Sequence, residues 1–468
     1  PQPPVPPKLP QPDQQKVSKP ISLGGAAKKV DINKSVKSKS AQSSKSKLKS
    51  FPPKKKKLNL IGGDQILFVG DGLIEQMQKY GYLEHRLTIQ NQGKSLYFRN
   101  IGWTGDNPAG IARDGLGTRQ AGHEPDNEGW IQLKKQISDI KPNVAIIGYG
   151  MASSLDGSSM EEFKSSYQNL VAHIKSSAGK KNPLRLVFLS PIAHENLGGK
   201  LPNGEVHNST LEKYREVIGA LAKEHDAWFV DLYRMLKRRP GSLVPPLTHD
   251  GIHLNEYGYW NMAAATENAV GYLSTVFRFS ILEDGSERSG GYGIKLSDIR
   301  RNNDGIKLNA KTAALPPVFN GRKEIDAMRA RTSVGRIQIQ DCPEGEYTLV
   351  IDGEEALTAS SIDWINGAFF DAGPDVELAE KIRKLIVDKN ELYFHRSRPQ
   401  NQAYLWGFRR HEQGNNFSEV SKFDPLIKEK ETEIFTLNKV QDRKYEFLSS
   451  SKWEKLKPIQ KSKSGPKV

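Results

Sequence analysis

The chain lacks most of the features that would settle its class at once. One cysteine, Cys342, stands among 468 residues, so no intrachain disulfide forms and no thiolate cluster can hold a metal. This scarcity leaves the compartment open, because exported proteins also fold without bridges. No apolar run is long enough to span a bilayer. Residues 1–57 contain no arginine and almost no acid. Fifteen lysines there face only Asp13 and Asp31, so this segment holds +13 of the total charge of +15. From Leu58 onward the chain is nearly neutral, and the basicity belongs to a tail.

Residues 1–57 also have too few large apolar side chains to offset the entropy of ordering. They are expected to be a disordered Lys/Pro/Ser-rich tail, a solvated linker that can also touch a polyanion. No aromatic is interleaved with the lysines before Phe51, so nucleic acid is not the expected partner. The Pro-rich opening suits an exported protein, periplasmic or at the cell surface, whose leader has been removed. His123, His173, His194, His207 and His225 show no metal-ligand spacing, and neither metal nor cofactor is expected.

From Gln65 the texture changes to short apolar runs alternating with amphipathic segments. Strand-like runs lie at residues 65–69, 95–100, 143–148, 184–190 and 227–231. Helix-like stretches fall at 73–79, 130–140, 160–176, 209–225 and 256–277. This rhythm predicts a parallel sheet with helices on both faces. After residue 277 the runs at 293–296, 305–309, 336–340 and 347–352 alternate, with turn signals such as Pro343-Glu344-Gly345 between them, as in an antiparallel module. A helix is expected over 376–388 and another near 425–436. Between them, residues 393–416 interleave aromatics and cations at no helical or strand period. Such a segment more often wraps a domain than lines a glycan groove.

Four short blocks carry the chemistry. They are Gly70-Asp71-Gly72-Leu73, Asn100-Ile101-Gly102-Trp103-Thr104-Gly105-Asp106-Asn107, Gly148-Tyr149-Gly150-Met151-Ala152-Ser153 and Asp250-Gly251-Ile252-His253. Three begin at the ends of strand-like runs, where open α/β sheets bind ligands, and the fourth precedes the last helix of the region. Singly each is weak; together they converge on one sheet edge.

In order and spacing these blocks resemble the SGNH/GDSL hydrolases. The phrases Arg398-Pro399-Gln400-Asn401-Gln402-Ala403-Tyr404 and Gly407-Phe408-Arg409-Arg410-His411-Glu412-Gln413-Gly414-Asn415-Asn416 resemble a bacterial, multidomain branch of that family. The resemblance implies a flavodoxin-like three-layer α/β/α sandwich over 58–278. A small β-rich module over 279–370, a C-terminal helix and wrap over 371–447 and a disordered tail over 448–468 complete the expected organisation.

By family position His253 is the base and Asp250 its orienting partner, Gly105 gives an oxyanion-hole N–H, and Asp71 shapes the first loop. Trp103, Asn107 and Ser153 are the expected substrate-binding positions. Gly72 stands where the family has its nucleophilic serine, and Ala152 where it has the oxyanion asparagine. The covalent serine route is therefore missing. Three substitutes are conceivable: water activated by His253, a hydroxyl from Thr104 or Ser153, or a group brought by a partner. Without them the dyad is a loop brace. The implied substrates are acyl or acetyl esters on carbohydrate; the alternative is a non-catalytic glycan-binding protein using the same crevice.

Overall fold

The computed structural model describes residues 51, 56–113, 128–197, 203–238, 244–273, 276–282, 284–288, 291–302, 305–319, 334–399, 405, 410–413 and 417–456. Five strands form one parallel sheet: β1 (Gln65–Gly70), β2 (Tyr97–Asn100), β3 (Val144–Gly148), β4 (Arg185–Leu189) and β5 (Trp228–Val230). Their order is β2-β1-β3-β4-β5, that of a flavodoxin-like doubly wound sheet with its switch between β1 and β3. The strands are nearly continuous apolar runs because both faces are covered. Along β1, Ile66 and Phe68 enter one core, while Leu67 and Val69 enter the other.

The first core is closed by α1 (Gly72–Met77), α2 (Tyr82–Ile89) and α7 (Glu256–Ala269). The second is closed by α3 (Glu128–Ile140), α4 (Met160–Ser177) and α5 (Gly204–Glu224). A short helix, α6 (Leu232–Met235), follows β5. Helix α2 has no counterpart in the sequence reading. All eight of its residues are buried, including Glu84, His85 and Arg86, so it shows no polar face to betray a helical period. Its charges find partners far along the chain: Arg86 pairs with Glu267 at 2.7 Å, and Glu84 with Lys389.

The β-rich part contains β6 (Phe277–Ile281), β7 (Ile294–Asn302), β8 (Gly305–Thr312), β9 (Gly335–Ile339), β10 (Glu346–Ile351), β11 (Glu354–Ser360) and β12 (Ala368–Phe370). Two boundaries expected from sequence are corrected here. The helix expected over 256–277 stops at Ala269, and residues 277–281 become β6. Residues 448–456, expected in a disordered tail, are ordered. They end β13 (Arg443–Ser449) and form the helix Ser450–Leu456, whose Trp453 is buried. β13 is the middle strand of the sheet β11-β10-β13-β8-β7, hydrogen-bonded to β10 and β8. The module's sheet is thus completed by the end of the chain. The rest of that tail, 457–468, lies outside the described residues.

Two long helices precede β13 among the described residues: α8 (Pro374–Ser397) and α9 (Phe423–Leu437). Helix α8 continues through Tyr393, Phe394, His395 and Arg396, which sequence placed in an aperiodic wrap. Ile382 and Ile386 of α8 pack with Ile434 of α9 and Ile89 of α2. Arg383 donates to the Tyr80 carbonyl at 2.7 Å, and Arg99 of β2 pairs with Glu431 of α9 at 2.6 Å. These bonds hold α8 and α9 on the sheet domain.

The N-terminal boundary also moves. Phe51 sits edge-on to Phe229 at 5.2 Å, and the Lys56 carbonyl accepts Trp228 Nε1 at 2.8 Å, so these residues belong to the body. The expected disordered tail otherwise lies outside the described residues. Among the described residues no helix is long and apolar enough to cross a membrane.

Candidate active site

The loops that follow β1, β2 and β3 are bonded to one another. Asp71 N donates to the Gly148 carbonyl at 3.0 Å, and Trp103 N to the Gly70 carbonyl at 2.9 Å. Asp71 caps α1 by accepting Leu73 N at 3.2 Å through Oδ1. Its Oδ2 accepts Met151 N at 3.1 Å and Ala152 N at 3.3 Å. Burial raises the Asp71 carboxyl to about 6, although the N–H groups of Ala152, Leu73 and Met151 pull it down. One buried carboxylate thereby fixes the first and third blocks to each other.

The fourth block forms a compact turn. Asp250 Oδ1 accepts Ile252 N at 3.0 Å and His253 N at 2.9 Å, and Oδ2 lies 2.7 Å from His253 Nδ1. Burial opposes the ionised form, but the His253 ring and these two N–H groups hold the Asp250 carboxyl down at about 2. An ionised Asp250 favours a proton on Nδ1, which leaves Nε2 as the acceptor. The His253 side chain is 49 % exposed, and Nε2 has no hydrogen-bond partner among the described residues. Glu195 anchors the turn from β4's side, accepting Thr248 N at 2.9 Å. Gly251, at φ +109°, must be glycine: a Cβ there would stand 2.6 Å from the Glu195 carbonyl oxygen and 2.7 Å from His194 Nε2.

At Gly72 the local shape leaves room. A Cβ on Gly72 would meet Thr104 first, with Oγ1 at 3.5 Å, which is ordinary contact. The Thr104 hydroxyl therefore lies beside the position that sequence aligned with the family's serine. Thr104 N is held by the Glu75 carboxylate. Gly105 follows in the left-handed region at φ +79°, and its N–H makes no hydrogen bond among the described residues. Ala152 lends only its N–H, and that is committed to Asp71.

Two of the three expected substrate contacts need correction. Ser153 is 1 % exposed and its Oγ is closed off from solvent, so its side chain lies in the interior instead of an open crevice; its carbonyl accepts the Tyr214 hydroxyl at 2.7 Å. Trp103 is 4 % exposed, and the Arg398 guanidinium lies 3.4 Å from its ring centroid. A sugar ring cannot stack there because an arginine already does. Asn107 is half-buried and uses Oδ1 to accept Ala109 N at 3.0 Å, which shapes the loop after Gly105.

Sequence reasoning missed a histidine pair on the β4 side. His194 Nδ1 lies 3.0 Å from His207 Nδ1, and His207 Nε2 lies 2.7 Å from Ser154 Oγ. Burial lowers the pKa of both rings; a charge on His194 lowers that of His207 further, while Asp250 draws that of His194 back up. Ser154 gives its single proton to the Met151 carbonyl at 2.6 Å, so it accepts from His207 and is not poised as a nucleophile. The pair braces the third and fourth blocks. Thirteen residues separate the two histidines, a spacing with no motif in it.

The arrangement offers a carboxylate-held imidazole, a free backbone N–H at Gly105 and open room beside Gly72. Those are the parts of acyl transfer without the covalent nucleophile. Among the described residues no three His, Cys, Asp or Glu side chains converge as a metal site.

Comparison with solved structures finds the same fold elsewhere. The chain is similar to BT4096, a gut microbial diltiazem-metabolizing enzyme, at TM-score 0.60 and 16% identity, over 84% of this chain and 99% of that one. Axe2, an acetylxylan esterase from Geobacillus stearothermophilus, aligns at TM-score 0.33 and 16% identity, over 46% of this chain and 98% of its own. LAE5, from the metagenome of Lake Arreo in Spain, aligns at TM-score 0.34 and 16% identity, over 45% and 97%. No curated protein matches the chain. The model of the GDSL-like lipase/acylhydrolase family matches residues 68–260, which include all four blocks. Over those residues the sheet domain is similar to the GDSL-like lipase/acylhydrolase family.

Proposed function

We propose that the chain is an ester hydrolase in which His253 activates water directly, acting on acyl or acetyl esters carried by carbohydrate. The observation that carries this reading is the 2.7 Å contact between His253 Nδ1 and Asp250 Oδ2, with Nε2 left free. Water beside Gly72 gives a proton to His253 Nε2 as its oxygen attacks the ester carbonyl. The oxyanion meets the N–H of Gly105. The tetrahedral intermediate then breaks its bond to the alcohol, which takes the proton back from His253. No acyl-enzyme forms, because Gly72 has no side chain to carry one.

The catalyst is weaker than a complete family member. Losing one oxyanion donor, as Ala152 does, costs on the order of 10²–10³ in turnover. That same substitution favours a second reading, a non-catalytic glycan-binding protein that keeps the crevice. Hydrolysis of a p-nitrophenyl acetate series by pure protein, beside the His253→Ala variant, separates the two. Turnover lost in the variant supports the hydrolase. Absence of turnover in the parent, with retained binding of acetylated sugars, supports the binder.

A further inference from the structure

The second block carries two arginines against one indole, and they differ in how their donors are used. Arg113 is fully buried, 5.0 Å from the Trp103 centroid, and each of its three nitrogens is engaged: Nε on Asp106 at 3.0 Å, Nη1 on Gln136 at 2.7 Å and Nη2 on the Ile101 carbonyl at 2.8 Å. Arg398 is the C-cap that follows α8, far outside the family-matched segment. It lies at stacking distance on Trp103 and makes one guanidinium hydrogen bond among the described residues, Nη1 to Glu75 Oε1 at 3.2 Å. Its side chain is 29 % exposed. A guanidinium has five N–H donors in its plane, and stacking on a ring leaves that edge free.

The place is as telling as the chemistry. Trp103 is two residues from Gly105, whose N–H is the oxyanion donor of the proposed reaction. The other oxygen of Glu75 holds the N–H of Thr104, the residue between them. An unspent, planar cation is therefore presented beside the reaction centre, on the surface where an uncovered tryptophan would have offered a sugar platform.

We propose that Arg398 is a specificity-determining residue that binds a carboxylate on the substrate, so that the crevice selects esters carried by acidic sugar units over neutral ones. The inference rests on the hydrolase reading for its place in the reaction, but carboxylate binding itself needs no turnover. The fork of Arg398 matches a carboxylate in two parallel hydrogen bonds, an arrangement a lysine ammonium cannot copy. Its anchors, Trp103 and Glu75, fix the fork before substrate arrives, which lowers the ordering cost of binding.

Calorimetric titration of the full chain with glucuronate and with glucose tests this. Glucuronate should bind the parent and bind Arg398→Gln weaker by on the order of tenfold to a hundredfold. Arg398→Lys should recover little of the loss, and glucose should bind parent and Arg398→Gln equally weakly. Should the Gln variant fail to fold, phenylglyoxal labelling of the parent, read by mass spectrometry, gives the same answer: glucuronate should protect Arg398 and glucose should not. Equal binding of glucuronate by parent and Arg398→Gln, or labelling of Arg398 unaffected by glucuronate, overturns the proposal. Arg398-dependent binding in a protein that hydrolyses no ester would overturn the hydrolase reading and leave the carboxylate site standing.

Discussion

Asp71 accepts the backbone N–H of Ala152 at 3.3 Å, joining the loop after β1 to the loop after β3. An idle carboxylate would be free to drift. Instead Asp71 is buried, takes three N–H groups and keeps both loops in register with β1 and β3.

That register predicts that the missing groups can be put back. Gly72→Ser with Ala152→Asn should raise ester hydrolysis at least about tenfold, on the scale of one oxyanion donor. Space is available, since a Cβ on Gly72 meets Thr104 no closer than 3.5 Å. A well-folded double mutant with unchanged kcat/KM would mean that the loops lie off the productive geometry, where about 1 Å costs roughly 10²-fold.

Any hydrolysis by the parent should depend on His253. His253→Ala should lower the rate by about 10²-fold or more, the usual contribution of a general base. The melting temperature should fall only a little, because half of that side chain is in solvent and Asp250 keeps its two backbone N–H bonds. Intact-mass analysis during turnover should find no acyl adduct on the parent. An adduct on Thr104, whose hydroxyl lies beside that position, would replace water activation by a threonine route.

The dyad also sets a pH signature. Asp250 has a carboxyl held at about 2, below its ordinary value of 3.8, so it stabilises the fold above pH 4 and loses that contribution as pH falls towards 2. Asp250→Asn should therefore melt below the parent at pH 6, with the gap narrowing from pH 4 downward. Thermal melts between pH 7 and pH 3 check this. Equal melting of the two proteins at pH 6 would place the stabilisation in hydrogen bonds that asparagine also makes.

Truncation should separate the tail from the body at Phe51. Removing residues 1–50 should leave the melting temperature nearly unchanged and shift elution from heparin to lower salt, since eleven lysines and only two acids go with them. Removing 1–57 should lower the melting temperature as well, because the Phe51–Phe229 and Lys56–Trp228 contacts are lost. Equal melting of the two truncations would mean that these contacts add nothing to stability.

Sequence determined the sheet and the identity of the four blocks. Apolar runs such as Ile66–Val69 have to be buried on both faces, and glycines and capping acids at their ends leave little choice of where the loops begin. The dyad was equally legible, because Asp250 and His253 are three residues apart and bond within one turn. What stayed hidden depends on long-range pairing. Helix α2 has no polar face, and its buried charges are satisfied by Glu267 and Lys389, which periodicity cannot see. β13 is central only because β8 and β10 flank it. Trp103 looked open to a ligand until the fold brought Arg398 onto its ring from 295 residues away, and local sequence holds no trace of that contact. Short-range chemistry was decided by neighbouring residues; which groups remain free for a substrate was decided by packing.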